Sequence, residues 1–203
     1  MCIKMDSMNS PLLVLASGSS RRQQLLTQLG VVYSVCGQNI KETLEKNESL
    51  EEFVVRLACE KAAAGFDQQS DKSTVVLGAD TIVVCGDSEL GKPSSREDAL
   101  RMLLMLSGKS HRVLSAVSLM TATKERHILS NTLVEFRDID EHEAERYWAT
   151  GEQADKAGGY AIQGLGAIFV KSITGSYSGV MGLPLFETAA LLKEFGIPLW
   201  SSK

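Results

Sequence analysis

Apolar and polar positions along the chain follow two rhythms, and the switches between them mark out the elements. Short apolar runs at Leu13 to Ala16, Val75 to Leu77 and Thr81 to Cys85 read as buried strands, with Gly78-Ala79-Asp80 as a break between the last two. Gly30 to Cys36 reads as a second strand, followed by a polar link from Gly37 to Asn47. A helical rhythm runs from Gln23 to Leu29 and is closed by Gly30. Another follows the capping box Ser49-x-x-Glu52, placing Phe53, Val54, Leu57, Ala58 and Ala62 on one face as far as about Gly65. Ser94-x-x-Glu97 predicts a third helix, with Ala99, Leu100, Leu103, Leu104 and Leu106 apolar, ending at Ser107-Gly108. His111 to Thr123 and Ile128 to Phe136 alternate as antiparallel strands joined by a charged turn. Asp140 to Ala149 is expected to be helical, Tyr160 to Gln163 and Ala167 to Ile173 to be strands, and Pro184 to sit in the first turn of a last helix. The pattern is mixed α/β without repeats or low-complexity tracts. A bent sheet in two lobes with a cleft between them suits it.

Composition narrows the function. At 203 residues and 44% hydrophobic, residues 11–200 can form a single domain, while the short polar stretch 1–10 is expected to be a disordered extension with three candidate start methionines. The 21 basic and 25 acidic residues give a net charge of −4, so no global positive field draws in nucleic acid or an anionic membrane. Any anion site is therefore local. Cys2, Cys36, Cys59 and Cys85 lie more than twenty residues apart without zinc-like spacing, and read as reduced thiols of a cytoplasmic protein. No apolar run of 18 residues appears, which argues against a membrane partner. His111, His127 and His142 have no Ser or Cys at a recognisable spacing, so a nucleophilic triad has little support.

Four segments carry chemistry. In Ser17-Gly18-Ser19-Ser20-Arg21-Arg22, small residues leave a strand and two arginines open a helix, the geometry of a phosphate site, although a plain strand-turn-helix corner has the same pattern. Asp80 places a carboxylate between two strongly apolar segments, which calls for a metal, a donor or a proton transfer unless it only caps a turn. Gly86 to Lys92 nearly spells GxxxxGK, but Pro93 stands where the magnesium-binding Ser or Thr belongs, so the nucleotide-loop reading fails and a lysine in a glycine-proline turn is left. Asp155 to Gly164 packs three glycines and several polar side chains into ten residues, as a flexible loop entering a strand also would. Lys61 lies beside the apolar stripe of its helix, and Glu42 in the polar link looks by spacing like any solvated acid.

Taken together and in order, SGSxRR (Ser17 to Arg22), CEKA (Cys59 to Ala62), GADT (Gly78 to Thr81), GKP (Gly91 to Pro93), LSG (Leu106 to Gly108), DKAGGYxIQG (Asp155 to Gly164) and GLPL (Gly182 to Leu185) resemble the Maf family of nucleoside triphosphate pyrophosphatases. The likeness runs from about Leu13 to Ile197. It implies an elongated mixed sheet in two lobes with a central cleft, similar to inosine triphosphatases, and a homodimer. It also implies hydrolysis of a nucleoside triphosphate to the monophosphate and pyrophosphate, with Mg²⁺ or Mn²⁺ as cofactor. By the resemblance, Asp80 is the catalytic carboxylate and a metal ligand, and Glu42 a second metal ligand; the family's frequent Asp-Glu reads Lys41-Glu42 here. Arg21, Arg22, Lys61 and Lys92 match phosphate-site cations, and Ser17 and Ser19 the phosphate turn.

The same likeness separates two branches. The one acting on 7-methyl-GTP typically has a Trp before the arginine pair, GSDQ for GADT, and SEG in the later loop. This chain has Ser20 before Arg21, Thr81 after Asp80, and Ile162-Gln163-Gly164, which resembles the branch acting on dTTP and UTP. An amide such as Gln163 both donates and accepts, which suits the O4 and N3–H edge of a pyrimidine. Arg21, Thr81 and Gln163 are thus expected to set the base preference. The rival reading is a nucleotide-sensing regulator of cell division with incidental hydrolysis; such a binder would need the cations but not Asp80.

Overall fold

The computed structural model describes residues 11–201; the stretch 1–10 expected to be an extension lies outside them. Seven strands form one mixed sheet: β1 (Leu13–Leu15), β2 (Tyr33–Val35), β3 (Val75–Cys85), β4 (Ser88–Leu90), β5 (Ser110–Met120), β6 (Glu125–Phe136) and β7 (Val170–Thr174). Their order is β2-β1-β3-β5-β6-β7, with β4 also on β3. The helices are α1 (Ser20–Gln28), α2 (Leu50–Asp67), α3 (Arg96–Leu106), α4 (Glu141–Trp148), α5 (Tyr177–Met181) and α6 (Leu185–Glu194), with 3-10 turns at Ala157–Gly159 and Leu165–Phe169. None of the described helices is long and apolar enough to cross a membrane.

β3 organises the sheet. One edge pairs antiparallel with β5 from Val76↔Met120 to Val84↔Arg112. The other pairs parallel with β1 over Val75, Val76 and Leu77, then antiparallel with β4 over Val83, Val84 and Cys85. Between them, from Gly78 to Ile82, that edge has no strand neighbour. The period-two alternation of β3 sends Val75, Leu77 and Ala79 into one core with Leu25, Leu26 and Leu191, and Val83 into a second with Leu103, Leu106 and Phe136. Ile82 and Val84 turn the other way, onto Phe53, Val54 and Leu57 of α2. The two cores are the two lobes, and the unpaired edge lies where they meet.

Several sequence expectations need correction. Gly78-Ala79-Asp80 is no break: β3 is one strand of eleven residues, because β5 pairs with it without interruption from Val76 to Val84. The cap of α3 is Ser95, whose hydroxyl accepts from Asp98 N, while Ser94 donates to the Asp98 carboxylate; the box lies one residue later than its Ser-Glu spelling suggested. β2 keeps only Tyr33–Val35, matching the three residues of β1 beside it. Pro184 is the cap of α6, one residue before its first turn. Tyr160 to Gln163 is not a strand, and the first part of the expected Ala167 to Ile173 strand is a 3-10 turn, β7 beginning at Val170. Gly158 and Gly159 both take positive φ, 70° and 71°, and bend the chain away from the sheet.

In the second core, His111 is 1% exposed, edge-on to Phe136, and its Nε2 lies 2.9 Å from the Tyr160 hydroxyl. Burial pushes its imidazole down to about 4. The unfolded chain takes up this proton near its ordinary value of about 6.5 and the native state only near 4, so protons favour unfolding between those values. Stability is expected to fall by about 3 kcal/mol from this group as pH drops through that window, then level off below it. Denaturant unfolding of wild type and His111→Gln at a series of pH values checks this. The variant should lack about one proton's worth of slope, and identical slopes would remove His111 from the account.

Candidate active site

Where the β3 edge is free, a cavity of about 670 Å³ opens. All ten residues singled out in the sequence (Ser17, Ser19, Arg21, Arg22, Glu42, Lys61, Asp80, Thr81, Lys92 and Gln163) line it. They arrive on separate segments, each held by local chemistry.

The first is the exit from β1. Ser19 caps α1 by accepting from Arg22 N, and the buried Ser17 hydroxyl accepts from Ser19 N and from Arg22 Nη1 at 3.2 Å. Arg22 also donates from Nε to Gly182 O at 3.0 Å and from Nη2 to Thr81 Oγ1. Two of its five N–H groups are left over for an anion. Burial lowers the Arg22 guanidinium from its ordinary value, opposed by the charge of Asp80. Arg21 points elsewhere, across the cavity to Asp155 at 2.8 Å. Asp155 in turn pairs with Lys156.

The second segment is β3 itself. Alternation sends Thr81 toward Arg22 and Ser115, and Asp80 toward α2. Asp80 is 6% exposed, and its Oδ1 accepts from Lys61 Nζ at 2.5 Å. The same ammonium lies 2.6 Å from Glu42 Oε1. Lys61 can reach both because α2 lies directly on the β3 backbone: a Cβ at Gly78 would stand 2.2 Å from Ala58 O and 2.4 Å from Ala62 N. Glycine is therefore what lets the helix approach.

Glu42 belongs to the link between β2 and α2, which has no regular structure. Arg56 holds that link, donating from Nη2 to Thr43 O and gripping Glu48 through Nε at 2.6 Å and Nη2 at 2.8 Å. The Arg56 hydrogen bond draws the Glu48 carboxyl down to about 2. Burial pushes Glu42 up, but the Lys61 ammonium and the charges of Lys92 and Arg22 hold it below the usual carboxylate range. Gly86 to Lys92 is a hairpin turn and strand β4, with α3 starting only at Arg96, so the rejection of a nucleotide loop there agrees with the structure. Lys92 makes no ion pair with a described residue, and the turn before it accepts from Gly158 N through Gly91 O. Gln163 is exposed on the far wall.

Sequence reasoning missed Glu89, which also lines the cavity. It pairs with Val84 on β4, and burial together with the charges of Asp80 and Glu42 pushes its carboxyl up. Its only signal was as one of two acids, with Asp87, inside the failed GxxxxGK pattern. Tyr160, from the glycine-rich segment, is a second wall residue without an assigned role.

With this geometry in place, the comparison with known families is direct. A family model described as Maf-like protein matches residues 12–195. The chain belongs to the Maf family. A relative from Saccharophagus degradans named dTTP/UTP pyrophosphatase is 50% identical over 196 residues, covering 96% of this chain and 93% of its own. Another of the same name from Alkalilimnicola ehrlichii is 51% identical over 191 residues, covering 92% and 94%. Among solved structures, the Staphylococcus aureus Ham1 protein overlaps 61% of this chain and 71% of its own at 16% identity, with a TM-score of 0.41, too distant to add to the assignment.

The tight contact at Gly78 is testable within this Maf fold. Gly78→Ala has to push α2 outward, since backbone atoms cannot step aside, and is expected to cost about 1–3 kcal/mol and to open the Lys61–Asp80 contact. Thermal unfolding and a crystal structure of the variant decide; wild-type stability with the contact intact would show that α2 has slack.

Proposed function

We propose that this Maf-family chain is a nucleoside triphosphate pyrophosphatase that hydrolyses dTTP and UTP to the monophosphate and pyrophosphate. The observation that carries the reading is Asp80. It is a buried carboxylate at the free edge of β3, its Oδ1 held by Lys61 and its other oxygen without a hydrogen bond from any described residue. A site that only bound nucleotide would gain nothing from a carboxylate beside polyphosphate, which it repels. The names borne by relatives at 50 and 51% identity agree with this reading. No observation favours the regulator alternative.

In the proposed mechanism the triphosphate lies along the cavity, with the free N–H groups of Arg22 and the Lys92 ammonium taking phosphate oxygens, and the Ser17–Ser19 turn at the mouth of α1 beside them. Asp80 accepts the proton of the water that attacks the α-phosphorus in line, and Lys61 balances the charge of Asp80 and Glu42. No covalent enzyme intermediate is needed. The donor set fits a divalent cation: two carboxylate oxygens already converge on one ammonium, and hard oxygen ligands suit Mg²⁺ or Mn²⁺. Among the described residues no three His, Cys, Asp or Glu side chains form a metal cluster, so Asp80 and Glu42 would share the ion with phosphate and water. The metal, when bound, would neutralise phosphate charge.

Base preference falls to the far wall. The Gln163 amide can donate to O4 and accept from N3–H, Arg21 ties the Asp155 loop to α1, and Thr81 fixes Arg22. We also propose a homodimer in the cytoplasm, with exposed Phe186, Ile168 and Leu165 among the apolar side chains available to a second copy. The direct test is pyrophosphate release from dTTP, UTP, CTP and 7-methyl-GTP with Mg²⁺ and Mn²⁺. Wild type should prefer dTTP and UTP. Asp80→Asn, the same shape without a basic oxygen, should lose about 10²–10⁴-fold in kcat while remaining folded. More than a tenth of wild-type activity in that variant, or a preference for 7-methyl-GTP, would overturn the reading.

A further inference from the structure

Gln163 sits in a segment that belongs to no strand, so something else must fix it. Its amide makes no hydrogen bond to a described residue and is free for a ligand, yet the backbone on both sides is pinned. Glu152 Oε1 accepts from Leu165 N at 2.9 Å, and its Oε2 accepts from Gly166 N at 3.0 Å and from the Tyr147 hydroxyl at 2.7 Å. The same hydroxyl accepts from Ala161 N at 3.1 Å. One carboxylate and one phenol thus take the N–H groups of residues 161, 165 and 166, which a sheet ladder would otherwise satisfy. Two glycines make room for them. A Cβ at Gly164 would stand 2.0 Å from Glu152 Oε1, and one at Gly166 2.8 Å from the Tyr147 hydroxyl. Burial opposes the charge on Glu152, but its hydrogen bonds from Tyr147, Leu165 and Gly166 hold its carboxyl below the usual range.

We infer that Glu152, acting with Tyr147, is a positioning residue for base recognition: a clamp that fixes the turn presenting Gln163 to the cavity. The inference deepens the proposed function and rests on Gln163 reading the base. Both clamp residues lie outside the cavity wall, so neither touches substrate. Their effect is on where the amide sits. Loosening the turn costs the ordering of Gln163 each time a base binds, and weakens discrimination against a base with a different edge. Arg22 on α1, Lys61 on α2 and Asp80 on β3 make no hydrogen bond to either clamp residue, so the chemical step is insulated from the clamp.

The experiment compares wild type, Glu152→Gln, Tyr147→Phe, Gln163→Ala and the Glu152→Gln/Gln163→Ala double variant on dTTP and CTP, with thermal unfolding of each. Glu152→Gln keeps the size but cannot accept on both sides. It is expected to lower the dTTP-over-CTP ratio of kcat/KM about tenfold, chiefly through KM for dTTP, with kcat within about threefold of wild type. Tyr147→Phe should shift the ratio the same way by a smaller factor, and serves if Glu152→Gln does not fold. In the Gln163→Ala background the ratio should not fall further. If Gln163→Ala loses the preference while both clamp variants keep it, the clamp is overturned and the base-reading role stands. If Gln163→Ala itself keeps the preference, the base-reading role falls, and the clamp with it. A fall in kcat at unchanged ratio marks a merely structural Glu152 and also overturns the inference.

Discussion

The site depends on one property of β3: it is paired without interruption from Val76 to Val84 on one edge and only at its ends on the other. β5 supplies the continuous ladder that keeps Val76 to Val84 extended. β1 ends at Leu15 beside Leu77 and β4 ends at Leu90 beside Val83, leaving the middle open. A strand exposed in that way normally has unsatisfied backbone groups and invites pairing. Here the gap lies where two hydrophobic cores meet, and the residues at its centre are Asp80 and Thr81. Because side chains alternate, consecutive residues serve the two sides of the sheet. Asp80 meets Lys61 of α2, and Thr81 meets Arg22 of α1.

Charge is handled by sharing. Lys61 is common to Asp80 and Glu42, and Arg22 is held by Ser17, Thr81 and the Gly182 carbonyl. Removing one partner would leave a charge or donor in a partly dehydrated cleft, which is costly. The interactions that prepare the site for a polyanion therefore also brace the two sides of the cleft against each other. Arg56 acts on the same problem from outside, giving the irregular link that carries Glu42 a fixed path over α2.

The sequence carried much of this plan, for identifiable reasons. Strands β1 and β3 were visible as apolar runs, α2 as a capping box with one apolar face, and the candidate site residues as short motifs that come together around one cavity once the chain folds. Long-range compensation was invisible. Asp80 looked like a strand break because a carboxylate in an apolar run is unfavourable alone, and only the ladder to β5 and the ammonium of Lys61 make a continuous strand possible there. Tyr160 to Gln163 looked like a strand because the side chains that take the N–H groups of Ala161 and of Leu165 and Gly166 just after it, Tyr147 and Glu152, lie outside the motif. Glu89 gave no periodic signal at all, since β4 is three residues long.

In the proposed mechanism the attacking water stands beside Asp80, with the α-phosphorus of the nucleotide in front of it. Hydrolysis of dTTP in water enriched in heavy oxygen, with the products separated and weighed by mass spectrometry, tests that placement. Attack at the α-phosphorus puts the label in the nucleoside monophosphate and leaves pyrophosphate unlabelled. Label in pyrophosphate, or release of orthophosphate with a nucleoside diphosphate, would mean that the chemistry occurs at another phosphorus and that Asp80 does not do what its position on β3 suggests.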